Sequence, residues 1–125
     1  MNLLLDTHVL LWWLDDPTLL SEQALTSIKD TNNEVIVSVV SAWEIAIKKT
    51  LGKLEAPDNL KQMIGDAGFT LIPINYKHVW EVQDLPFHHD DPFDRLLVAK
   101  TKVENLMLVT RDSRLRAYNI PILDA

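Results

Sequence analysis

The chain has 125 residues, 47% hydrophobic and 24% charged, with a net charge of -6 at pH 7 and no cysteine. That bounds one ordinary globular domain over residues 1–125 and excludes disulfides, zinc–thiolate centres and thiol nucleophiles. The acidic balance argues on its face against a nucleic-acid partner, and the lack of cysteine fits a cytoplasmic protein.

The opening MNLLLDTHVLLWWLDD is apolar but broken by Asp6 and His8. It has no basic leader and is too short to span a bilayer, which predicts no membrane association. The run of leucines at 3–5 predicts a strand buried on both faces, followed by a helix through Trp13 that stops near DDP. Ser21 is placed to cap a second helix running to about Asp30. EVIVSVV is β-branched and predicts a second strand, and SAWEIAIKKTLGK predicts a helix with Gly52 near its end. Asp58 is expected to open another helix that ends at Gly68, before the strand FTLIPI. YKHVWEVQDL predicts a helix, and Pro92 suits the first turn of the next one. LMLVT predicts a strand, and IPILDA a short edge strand. Strands alternating with helices imply a three-layer α/β/α fold around a parallel sheet of four to five strands.

The charge is unevenly placed. Residues 95–116 hold Arg95, Lys100, Lys102, Arg111, Arg114 and Arg116 against Glu104 and Asp112 alone, and Lys48, Lys49 and Lys53 form a second basic group. Net charge is therefore a weak veto on nucleic acid. The acids have two readings. Ser41 to Glu44 spells a capping box, Asp91 to Asp94 an N-cap with proline, and Asp112 could cap a short helix. Asp6 resists that reading, because it follows three leucines with no adjacent cation. Taken together, Asp6, Glu44, Asp94 and Asp112 each fall at a strand end or in a helix's first turn, and in a parallel α/β sheet those places converge on one edge. Clustered carboxylates repel unless cations neutralise them. Without thiolates and with few histidines, the set suits a hard cation such as Mg²⁺ or Mn²⁺, as in a phosphoryl-transfer site.

The segments LLLDTHVLLW, SAWEIAIKKTLGKL, HHDDPFDRLLVAKT and LVTRDSRL occur in this order and spacing over nearly the whole chain. In this the chain resembles PIN-domain ribonucleases of the VapC-like toxin group. The resemblance implies a PIN fold and a metal-binding acidic quartet of Asp6, Glu44, Asp94 and Asp112. It also implies hydrolysis of RNA to 5′-phosphate and 3′-hydroxyl ends, a homodimer or toxin–antitoxin hetero-oligomer, and a small antitoxin protein that blocks the pocket. In that scheme Asp6 is the central ligand and Asp94 and Asp112 complete the shell directly or through water. Glu44 binds a second ion or orients the attacking water.

The supporting residues stay open at this point. Thr7, Ser41 and Thr110 could hold a ligand carboxylate or be ordinary capping hydroxyls. Asp91 reads mainly as a cap. Arg95 and Arg111 could meet RNA phosphates or form solvated salt bridges, and the remaining lysines read as a solvated face. His88 and His89 read as loop packing or substrate contact, since a metal water needs no histidine base. Trp12 and Trp13 are core or covered by another chain, whereas Trp43 and Trp80 read as core. Two other acidic-pocket folds fit poorly: a receiver domain lacks its Asp after the third strand, and a haloacid-dehalogenase-type phosphatase needs Asp where His8 stands. A non-catalytic RNA- or protein-binding module on the same fold is the remaining alternative.

Overall fold

Three consecutive leucines set the centre of the molecule. In the computed structural model, which describes residues 1–125, β1 (Asn2–Leu5) lies in the middle of a five-stranded sheet with order β3-β2-β1-β4-β5. The other strands are β2 (Glu34–Ser38), β3 (Thr70–Ile72), β4 (Met107–Thr110) and β5 (Ile122–Asp124), and every pairing is parallel. Leu4 faces Ile36 on one side and Leu108 on the other. Because side chains alternate along a strand, Leu3 and Leu5 enter one core while Leu4 enters the other.

Helices close both faces. The first core is completed by Val9 and Leu10 of α1 (Thr7–Asp15), Ala24 and Ile28 of α2 (Glu22–Lys29) and Ile64 of α4 (Leu60–Asp66). The second is built by Leu97, Val98 and Ala99 of α6 (Pro92–Glu104) and Val40 of α3 (Val39–Thr50). The layered α/β/α arrangement and five parallel strands are those predicted. No helix is long and apolar enough to cross a membrane.

Several boundaries differ, each for a local reason. Val39 and Val40 belong to α3, because the Ser38 hydroxyl accepts the Val40 N–H at 3.1 Å and starts the helix there. Ser41 is consequently one turn inside the helix, and the expected Ser41–Glu44 capping box does not exist. Asp58 does not cap α4; its carboxylate takes the Lys49 ammonium at 2.5 Å instead, and α4 starts at Leu60 without a side-chain cap. The helix expected over YKHVWEVQDL is α5 (Tyr76–Glu81) continued by a 3₁₀ turn over Val82–Asp84. Ser21 and Asp91 do cap as expected, accepting from Ala24 and from Phe93 and Asp94 respectively.

The large aromatic residues also redistribute. Trp43 and Trp80 stand half-exposed, Trp43 edge-on to Phe93 and Trp80 stacked on Tyr76, so neither is a core residue. Trp12 and Trp13 pack partly buried against the first core. Two members of the basic run are not on a solvated face: Arg95 and Lys100 are both buried. Lys100 gives its ammonium to the Pro73 carbonyl at 2.7 Å, tying α6 to the segment after β3.

The order of strands fixes where a ligand can sit. The chain runs outward from β1 to β2 and β3, then returns to place β4 on the other side of β1. The crevice beyond the carboxyl ends of β1 and β4 is thus the switch point, where α/β sheets bind ligands.

Candidate active site

Asp6 ends β1 at that crevice. Its backbone N–H donates to the Val109 carbonyl of β4 at 3.0 Å, and its carbonyl accepts the Leu10 N–H of α1. Its carboxylate caps nothing in α1. Instead it accepts the Thr110 hydroxyl at 2.6 Å, and that hydroxyl oxygen accepts the Asp112 N–H at 3.1 Å. Thr110 therefore ties Asp6 to the turn that carries Asp112. Burial pushes the Asp6 carboxyl above its ordinary pKa, with the Glu44 carboxylate adding to the rise, against the Thr110 hydroxyl, the charge of His8 and the Thr7 N–H.

Glu44 reaches the same crevice from the second turn of α3 and is nearly fully buried. Its Oε2 takes the Lys48 ammonium at 2.5 Å. Its Oε1 is buried without any hydrogen-bond partner. A buried carboxylate oxygen left unpaired costs the full desolvation of that group, so it marks a place where a ligand belongs.

Asp94 arrives on the first turn of α6, aimed by the Asp91 cap and Pro92 at the first helical position. Burial, followed by the charges of Asp6, Asp91, Glu44 and Asp112, pushes its carboxyl up to about 8. Asp112 follows β4 and caps the 3₁₀ turn Ser113–Ala117 through the Arg114 N–H. Burial raises its carboxyl too, but hydrogen bonds from the Arg114 side chain and backbone and from His89 win, holding it down at about 2. Asp6, Glu44, Asp91, Asp94 and Asp112 line one cleft of about 450 Å³ together with His8, Trp12, Lys48, Arg111 and Arg114.

His89 is the residue whose place the sequence least revealed. It is buried, and its Nε2 lies 3.0 Å from Asp112 Oδ2 and 3.2 Å from Asp94 Oδ2. Its Nδ1 accepts the Asp91 N–H at 3.0 Å. With Nδ1 accepting, the ring carries its proton on Nε2, which donates to Asp112 Oδ2 and lies beside Asp94. Although His89, Asp94 and Asp112 place donor atoms within 4.8 Å of one another, the histidine nitrogen facing the acids is closed to a cation. His89 positions the acids, and Tyr118, whose hydroxyl accepts the His89 N–H at 3.2 Å, positions His89. His88 packs edge-on against Tyr118 and does not line the cleft.

The remaining supporting residues separate clearly. Thr7 donates to Ser41 at 3.0 Å, so these two hydroxyls stitch α1 to α3 and use each other rather than an acid. The Arg95 expectation is overturned in both of its forms. Its guanidinium is buried and donates to the carbonyls of Val82, Leu85, Pro86 and His89 and to the Tyr118 hydroxyl, leaving neither a phosphate contact nor a solvated salt bridge. Apart from Val82, which starts the 3₁₀ turn, these carbonyls belong to the irregular segment before α6, whose carbonyls need a donor. Arg111 makes no salt bridge either; it donates to the Leu19 and Ala125 carbonyls and stacks 4.3 Å from the Trp12 ring centroid, while still lining the cleft.

Comparison with known proteins bears on the family and the fold. The PIN domain family model matches residues 3–121. Ribonuclease VapC22 of Mycobacterium tuberculosis is 30% identical over 127 residues, covering 96% of this chain and 94% of that protein. The fold is shared with VapBC2 from Rickettsia felis bound to a DNA fragment from its promoter, at a TM-score of 0.72 and 15% identity over 99% of this chain and 98% of that one. DNA-bound VapBC from Salmonella typhimurium matches with the same TM-score of 0.72, identity of 15% and coverage of 99% and 98%.

Proposed function

The chain belongs to the PIN-domain family, and from that premise we propose that it is a divalent-metal-dependent endoribonuclease and the toxin of a toxin–antitoxin pair. The observation that carries the proposal is the unpaired, buried Glu44 Oε1 in a cleft shared with Asp6, Asp94 and Asp112. The donor set is all carboxylate oxygen once the His89 nitrogen is excluded, which fits Mg²⁺ or Mn²⁺ rather than a softer metal.

Asp6 and Asp94 would hold the ion, with Glu44 and Asp112 completing the set. When bound, such an ion neutralises the acids, lowers the pKa of its water and polarises a phosphoryl oxygen. The residues of the chain do the positioning. Thr110 fixes the Asp6 carboxylate, the Asp91 cap fixes the angle of Asp94, and His89 holds Asp94 and Asp112 at a set separation. Arg111, on the rim and locked by carbonyls and by Trp12, faces the crevice where an RNA phosphate would lie. A binding module without catalysis has no use for this arrangement, because burying Asp94 and packing the other acids around it raises its carboxyl and destabilises the fold.

The chain would act as a single cytoplasmic domain, as a homodimer or in complex with a small antitoxin protein. VapC22 is named as a ribonuclease, and VapBC-5 from Mycobacterium tuberculosis, on the same fold, is described as a member of the VapBC family of toxin–antitoxin systems. The test is induced expression of the chain and of Asp6→Asn, followed by sequencing of RNA ends. New 5′-phosphate ends at defined positions are expected with the native chain alone. Identical end profiles from the two strains would remove the ribonuclease reading.

A further inference from the structure

Two side-chain cations already occupy the acids. The Lys48 ammonium takes Glu44 Oε2 at 2.5 Å, from the next turn of α3. Arg114 takes Asp112 with its backbone N–H and Nε on Oδ1 and its Nη2 on Oδ2, at 3.0 to 3.2 Å. With His89 also on Oδ2, every lone pair of the Asp112 carboxylate is taken. Asp112 has no oxygen to offer a metal until the Arg114 side chain moves. Solvent reaches both cations: the Lys48 side chain is one-third exposed and that of Arg114 nearly two-thirds. Both line the cleft, one from α3 and one from the turn after β4.

The space beyond Lys48 holds a second cation, Lys53. Past Glu44, Lys48 and His8 the cleft continues into a second hollow lined by Thr7, Leu11, Lys53 and Leu54. Lys48 lines both. A polyanion running from the acids along this hollow meets Lys48 first and Lys53 next.

Resting on the metal-dependent ribonuclease reading, we infer that Lys48 and Arg114 are exchangeable counter-cations. They neutralise Glu44 and Asp112 while no divalent ion is bound, and pass to RNA phosphates on either side of the cut once an ion takes over the carboxylates. Lys48 and Lys53 then track the strand through the second hollow. The exchange makes metal and RNA binding cooperative, because an ion frees the groups that hold the RNA. A purely structural Lys48, a prop for Glu44, would instead support both ligands together.

The test compares the native chain with Lys48→Met, Lys48→Arg and Arg114→Met. Mn²⁺ is titrated by thermal shift without RNA. Binding of a fluorescein-labelled, random-sequence phosphorothioate RNA, which resists hydrolysis, is followed by anisotropy across salt concentrations with Mn²⁺ saturating. In Lys48→Met the Mn²⁺ midpoint should fall about fivefold, since a competing cation is gone. Its RNA affinity should weaken about tenfold, and the salt slope should flatten by ~0.7, one single-strand phosphate contact. Arg114→Met should show the same opposed pair of shifts, and Lys48→Arg should stay close to the native chain. Metal and RNA binding weakening together in Lys48→Met, or an unchanged RNA slope, would overturn the inference. Failure of the native chain itself to respond to Mn²⁺ would instead strike the metal-dependent reading on which it rests.

Discussion

Replacing Asp94 with Asn should make the metal-free protein more stable while abolishing cleavage. The folded carboxyl sits at about 8 against an ordinary value of 3.8, burial being the first cause and the neighbouring acids the second. Between those values the folded chain keeps a proton that the unfolded chain has lost. Stability therefore falls as pH rises through that window and is flat below it. Each pH unit is worth about 1.4 kcal/mol, which sets a ceiling of ~4 kcal/mol at pH 7. The cleft is open to water, and solvent screening brings this to about 2 kcal/mol. Asn keeps the shape and hydrogen-bonding edge without the charge. Asp94→Asn should thus melt roughly 8 °C higher than the native chain in EDTA at neutral pH, at about 4 °C per kcal/mol for a domain of this size. Near pH 4 the gap should close. With Mn²⁺ in excess the order should narrow or reverse, because a ligand at a hundred times its Kd adds about 2.7 kcal/mol to the form that binds it. Thermal melts at the two pH values, with EDTA and with Mn²⁺, provide the check. A variant no more stable than the native chain at neutral pH, or a gap that does not change with pH, would refute the reasoning.

Thr110→Val keeps volume but removes the donor to Asp6 Oδ2; the Mn²⁺ midpoint in a thermal-shift titration should rise about 10- to 100-fold with the fold intact. His89→Ala removes the donor to Asp112 Oδ2 and the ring nitrogen beside Asp94, and a weakening of Mn²⁺ binding in the same range of about 10- to 100-fold is expected in the same assay. Arg95→Ala leaves the Leu85 and Pro86 carbonyls without a donor and takes one of two donors from the Val82 and His89 carbonyls and the Tyr118 hydroxyl, so urea unfolding should show a loss of ~3–5 kcal/mol. An Arg95→Ala protein of native stability that has lost RNA affinity would restore the phosphate reading rejected above.

Asp6, Asp94 and Asp112 were legible in the sequence because each is tied to a local signal, whereas the capping box around Glu44 is absent from the fold. Three leucines end at Asp6, an Asp-Pro cap sets Asp94, and β4 runs into Asp112. The parallel topology then brings them together without further information. The start of α3 was not legible. Ser38 and Ser41 are one helical turn apart and both suit a cap, while Val39 and Val40 extend the β-branched run; only packing of Val40 in the second core chooses Ser38. Arg95 was misread because a charge in sequence does not say which carbonyls a folded loop will leave unpaired. His89 depended on the same loop, since its ring is oriented by the backbone of Asp91 and by Tyr118, 29 residues away. The link between Glu44 and Lys48 was available, as an i, i+4 pair on a helix. Its meaning was not, because the unpaired second oxygen of Glu44 exists only in the folded cleft.

The two aspartates nearest His89 are driven in opposite directions, Asp94 up to about 8 and Asp112 down to about 2. The cleft without metal is thus neutralised in two ways, by a proton on Asp94 and by side-chain cations on Glu44 and Asp112. An entering ion must displace that proton, because a protonated carboxyl is a poor ligand. At neutral pH, Mn²⁺ binding should therefore release close to one proton, measurable by calorimetry in buffers of different ionisation enthalpy. Above roughly pH 9, where Asp94 has already ionised, release should vanish and affinity should stop rising with pH. If no proton leaves at neutral pH, Asp94 is either already ionised or not a ligand. Asp94→Asn separates these: an unchanged Mn²⁺ midpoint would mean that it is not a ligand.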